Sequence, residues 1–132
     1  MNIPKIVKNN KYLPNVEKHI KPNQAYEMGY TSSIHPHNNP FSDPELEKEW
    51  DRGNRNMHAY HMGYATEPSS DASCPVHYDY EQQEHWLKGY AARLAFVDGY
   101  EHPDNKINPY DRFTQKMLFI HYENGQAARK AI

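Results

Sequence analysis

The stretch Ala59-Tyr60-His61-Met62-Gly63-Tyr64, followed by Cys74-Pro75-Val76 and then Trp86-Leu87-Lys88-Gly89-Tyr90, decides how this chain is read. The same frame occurs upstream as Ala25-Tyr26-Glu27-Met28-Gly29-Tyr30, Asn39-Pro40-Phe41 and Trp50-Asp51-Arg52-Gly53. It occurs downstream as Ala95-Phe96-Val97-Asp98-Gly99-Tyr100, Asn108-Pro109-Tyr110 and Tyr122-Glu123-Asn124-Gly125. From the first glycine of each frame to its proline is 11, 12 and 10 residues, and from proline to the second glycine 13, 14 and 16. From the second glycine to the first glycine of the next frame is 10 residues both times. Variable loops around one invariant, continuous stretch are what structural repeats produce. The repeat positions are Gly29, Pro40, Trp50 and Gly53, then Gly63, Pro75, Trp86 and Gly89, then Gly99, Pro109, Tyr122 and Gly125.

The invariant stretches read as helix. Residues Glu45 to Tyr64, Tyr80 to Tyr100 and Arg112 to Ala131 contain no proline and are rich in helix-forming side chains. Asp43, Asp79 and Asp111 stand before them as N-caps, and Pro44 suits a first helical turn. The segments Thr31 to Pro40, Glu67 to Pro75 and His102 to Pro109 carry Pro, Asn, Ser and His and read as loops. A shorter helix around Asn23 to Tyr30 opens the series. The expected fold is therefore all-α: three long helices plus a short N-terminal one, built from three tandem helix-loop-helix repeats. The expected divisions are an arm over residues 1–22 and repeats over 23–58, 59–94 and 95–132, together one compact unit.

Glycine inside a helix costs about 1 kcal/mol relative to alanine, so Gly53, Gly63, Gly89, Gly99 and Gly125 need a reason. The expected reason is a hollow that receives an aromatic ring from a neighbouring helix. Gly63 and Gly99 also fall near expected helix ends, where glycine serves as a C-terminal cap. The core must lean on rings, since the chain of 132 residues carries 11 Tyr, 4 Phe and 2 Trp against an apolar share of only 37%.

Charge divides unevenly. Residues 1–22 hold Lys5, Lys8, Lys11, Lys18 and Lys21 against Glu17, a net +4, and the remainder carries −6. A basic arm of this kind either meets phosphate or an acidic protein face, or is a solubilising, frayed terminus. One cysteine, Cys74, excludes an internal disulfide and fits a reducing compartment. No apolar run resembles a signal peptide or a membrane span, so the expected location is the cytoplasm.

Chemistry-bearing constellations are sparse. Nine histidines invite a metal, and His58 with His61, His35 with His37, and Cys74 with His77 are the closest groupings. None supplies three or four ligands at recognisable spacing, and the single cysteine excludes multi-cysteine patterns. Cys74 takes the place of Asn39 and Asn108 in the other frames, which points to packing or turn capping rather than nucleophilic catalysis. No glycine-rich phosphate loop exists, and Glu45, Glu47, Glu49, Glu81 and Glu84 read as acidic first turns of helices. The expectation is a non-catalytic protein with no cofactor and no metal.

The order of a helix ending in Gly-Tyr, a loop, Cys-Pro and Trp-x-x-Gly resembles ribosome modulation factor. The second frame, with Gly63-Tyr64, Cys74-Pro75 and Trp86-Leu87-Lys88-Gly89-Tyr90 followed by Ala91-Ala92, is the nearest to that family. The first and third frames place Asn39 and Asn108 at the cysteine, and the third places Tyr122 at the tryptophan. The resemblance covers residues 23–131 in three divergent copies. It implies a paired-helix fold and a partner in the ribosome or ribosomal RNA, with translation as the process affected. Binding residues under that reading are the arm lysines with Arg52, Arg55, Lys88 and Arg93. The acidic body departs from the strongly basic family pattern, since phosphate repels it. The alternative reading is a protein-binding inhibitor or assembly module for a host or viral protein, of the sort a phage or mobile element encodes. Tyr and Trp are favoured interface anchors and suit that reading.

Overall fold

The structure is a computed structural model that describes residues 11–32 and 39–132. The described residues form five helices and no strand: α1 (Pro14–Glu17), α2 (Pro22–Tyr30), α3 (Pro44–Tyr64), α4 (Tyr80–Glu101) and α5 (Lys116–Lys130). The all-α class and the three long helices agree with the sequence. The chain divides into two compact units, and the division falls inside α3 between His58 and Ala59.

Helix starts follow local chemistry. Pro44 opens α3, and the Asp43 carboxylate accepts the backbone N–H of Leu46 at 3.1 Å. Asp79 caps α4 through the N–H of Gln82 at 2.8 Å, while the Gln82 side chain returns to the Asp79 N–H. The third expected cap works differently. Asp111 takes the N–H groups of Phe113 and Thr114 into a tight turn, and α5 begins only at Lys116 instead of Arg112. A side-chain turn at residues 111–114 competes with the helix and delays it. Gly63 and Gly99 lie inside α3 and α4, not at their caps; His102 closes α4.

In the first unit, Ala25, Phe41, Leu46 and Trp50 form the core, with Tyr12, Ile20 and Met28 packed against it. Residues 11–20 are therefore part of the fold and not a frayed arm. The Tyr12 N–H donates to the Pro40 carbonyl at 2.7 Å, and its ring stands 5.3 Å from that of Phe41. Glu17 is buried, and its two carboxylate oxygens accept the N–H groups of Ser42 and Asp43 at 2.6 and 2.8 Å. A charged group so placed satisfies donors just ahead of α3.

In the second unit, Ala59, Tyr78 and Trp86 form a core, with Ala72, Cys74 and Tyr90 against it. Ala95, Trp86 and Tyr122 are almost fully shielded from solvent.

The glycines define how helices meet. A β-carbon on Gly29 would strike the carbonyl of Trp50, and one on Gly53 the carbonyl of Tyr26. Gly63 stands in the same relation to Trp86, and Gly89 to Tyr60. Gly99 does so to Tyr122, and Gly125 to Phe96. Each contact pairs one aromatic-x-x-Gly motif with another, and each glycine faces the aromatic residue of the opposite motif. What fills the hollow is the backbone of that residue, not its ring as the sequence suggested. Backbones brought this close permit Cα–H···O contacts between helices, and the rings are directed beside the crossing.

Candidate functional site

Asn39 and Asn108, which precede the repeat prolines, are structural. Asn39 accepts the Phe41 N–H and donates to the Glu47 carbonyl, three residues before Trp50. Asn108 accepts the Tyr110 N–H and donates to the Phe119 carbonyl, three residues before Tyr122. Each side chain closes an Asx turn and ties the loop to the following helix. At the corresponding place Cys74 sits half-buried against the core as a free thiol.

The cations named from the sequence fall into three groups. Lys5 and Lys8 lie outside the described residues, as do His35 and His37. Lys11, Arg52 and Arg93 are engaged within their own units. The Lys11 ammonium donates to the carbonyls of Asn39 and Phe41 at 2.7 and 3.1 Å and lies 3.8 Å from Glu47. Arg52 grips both oxygens of Glu49 and covers the Tyr26 ring at 4.6 Å. Arg93 lies between the rings of Tyr64 and Phe96, 5.8 and 5.9 Å away, and 3.9 Å from Glu67. Lys18, Lys21, Arg55 and Lys88 are exposed.

A different feature stands out in the second unit. Helix α4 is apolar on two sides. One side carries Trp86, Gly89, Ala92, Ala95 and Gly99 into the core. The other places Leu87, Ala91 and Leu94 at successive turns, with Leu87 58% and Leu94 39% exposed. Spacing of i, i+4 and i+7 puts these three on one face. Met117 on α5 is also 58% exposed. Tyr60, Lys88, Ala91, Ala92, Met117 and Leu118 line a groove of about 240 Å³ where α3, α4 and α5 converge. The Tyr60 hydroxyl is held above its ordinary pKa by burial, with Tyr64 adding to the effect, so the ring stays neutral. Nearby, His121 packs 5.4 Å from the Tyr64 ring, and burial lowers its pKa. Among the described residues that line the groove, Lys88 alone is charged.

The Leu87, Ala91 and Leu94 spacing marks the outer stripe of α4 in the sequence, whereas the groove beside it forms only where three helices meet. The mostly apolar lining suits an apolar side chain, with Lys88 as a single cationic contact at its side. Among the described residues no cluster of three or more His, Cys, Asp or Glu is placed to hold a metal, and no helix is long and apolar enough to cross a membrane. No family model, curated protein or solved structure matches this chain.

Proposed function

We propose that the chain is a non-catalytic protein-binding module built from three tandem helix-loop-helix copies, each closed by a reciprocal pair of aromatic-x-x-Gly motifs. Support for the tandem reading comes from the matching glycine contacts of Gly29 with Gly53, Gly63 with Gly89, and Gly99 with Gly125. The shared roles of Asn39 and Asn108 add to it. The observation that carries the binding reading is the outer face of α4. Leu87, Ala91 and Leu94 give α4 a second apolar stripe outside its core side, a stripe of the kind that a partner ordinarily covers, and Leu87, Leu94 and Met117 remain open to solvent here. Host or viral proteins are the partner class, and the single cysteine suits a cytoplasmic setting.

A second reading places the chain on the ribosome or another part of the translation machinery. It is favoured by the likeness of Gly63-Tyr64, Cys74-Pro75 and Trp86-x-x-Gly89 to ribosome modulation factor, and by the exposed Lys18 and Lys21. One experiment separates the two. A benzophenone side chain is placed at Leu94, and bacterial lysate is irradiated and then run on a sucrose gradient at low and moderate salt. Protein adducts in light fractions, unaffected by nuclease, support the module. Migration with small subunits that salt and nuclease abolish sinks it in favour of the ribosome.

A further inference from the structure

We propose that the groove between α3, α4 and α5 docks an acidic amphipathic helix of another protein, with one large apolar side chain seated between Ala91 and Met117 and flanking carboxylates meeting Lys88 and Lys116. This rests on the protein-binding reading above and names the partner's chemistry.

Three observations lead to it. First, size and lining. A cavity of about 150 Å³ already holds a benzene ring, so the groove of about 240 Å³ takes a leucine or aromatic side chain. Second, charge. Lys88 lies on the groove lining and Lys116 directly precedes Met117, both exposed, and neither has an ion pair among the described residues. Exposed Glu84, one turn before Lys88 on α4, makes no ion pair with it either. An unpaired ammonium on an apolar slot, with a second lysine at the start of the helix that carries Met117, matches carboxylates beside an apolar anchor. Third, backbone. The groove walls are helical: Lys88, Ala91 and Ala92 lie mid-helix in α4 with their backbone groups bonded within it, and Met117 and Leu118 belong to the first turn of α5. They offer no edge to an extended strand, so the partner must satisfy its own backbone, which a helix does.

The probes are two synthetic helical peptides with the same leucine stripe, one with glutamates on its polar face and the other with lysines. Binding to the full chain is read by fluorescence anisotropy, and the bound surface is mapped by amide shifts. The acidic peptide is expected to bind about tenfold more tightly than its basic twin, as two rim ion pairs allow. Its shifts should centre on Ala91 and Met117. Met117→Glu should abolish its binding, and the double change Lys88→Glu with Lys116→Glu should reverse the preference. Both lysines and Met117 are exposed, and far-ultraviolet dichroism checks that each variant keeps its helices.

Equal or tighter binding of the basic peptide overturns the proposal. So does a shift map away from α4 and α5. Sedimentation equilibrium gives another arm: a dimer that Met117→Glu dissolves assigns the groove to a second copy and overturns it as well. If protein adducts still form at Leu94 while the acidic peptide fails, the module stands and only the partner's chemistry falls.

Discussion

The carbonyl of Trp86 occupies the space that a β-carbon on Gly63 would need, and the carbonyl of Tyr60 does the same at Gly89. The obstructing atoms are backbone, so no side chain can swing aside. On helix propensity alone, Gly63→Ala would gain about 1 kcal/mol. We expect the opposite sign, a loss of about 2 kcal/mol or more, as in overpacked cores. Urea unfolding measures it. Phe96→Tyr, by contrast, should shift stability by only about 0.5 kcal/mol, because its backbone makes the contact with Gly125. A Gly63→Ala chain as stable as the parent would refute the close crossing.

Asn108 joins loop to helix through two hydrogen bonds of 3.0 Å. Asn108→Ala removes both and leaves the Tyr110 N–H without this partner. The expected cost is about 1–2 kcal/mol, with faster amide exchange at Tyr110. Asn39→Ala should behave alike in the first unit, where the same two bonds recur.

Glu17 holds the N–H groups of Ser42 and Asp43 from a segment 25 residues earlier in the chain. Glu17→Ala should cost about 1–3 kcal/mol and expose both amides to exchange. Unchanged protection at Ser42 and Asp43 would show that residues 11–20 do not anchor the start of α3.

Two histidines of the second unit should titrate in opposite directions from the ordinary value of 6.5. His102 is raised, chiefly by its hydrogen bond to the Asp98 carbonyl, with the Asp98 carboxylate contributing. Its contribution to stability is present below the unfolded value and is lost as pH rises through its folded midpoint. His121 is lowered by burial beside Tyr64. Its contribution is present above the unfolded value and is lost as pH falls from there towards the folded midpoint. Proton NMR should find the His102 midpoint above 6.5 and that of His121 below it. His121→Gln should flatten the decline of melting temperature on the acid side.

Much of the helical layout was legible. The proline-free stretches and the aspartates at 43 and 79 marked α3 and α4 closely, because caps and breakers act locally. Asp111 misled, since a carboxylate that caps a helix also closes a turn, and only the bonds to Phe113 and Thr114 show which it does. Gly63 and Gly89 were recognisable as points of close approach, but spacing does not say which atom of Trp86 or Tyr60 arrives there. The role of residues 11–20 was hidden because Lys11, Tyr12 and Glu17 reach the loop at Pro40–Asp43 through space. The groove escaped notice because Tyr60, Ala91 and Met117 meet only after three helices have converged.

The reciprocal glycine contacts have a mechanical consequence. Two helices joined by side-chain ridges alone can slip by a turn and find a similar fit. Here a slip of one residue in either direction would drive a β-carbon from one helix into a carbonyl of the other. Each crossing therefore acts as a detent: it resists shear along the helix axes, and it is released only when the backbones separate.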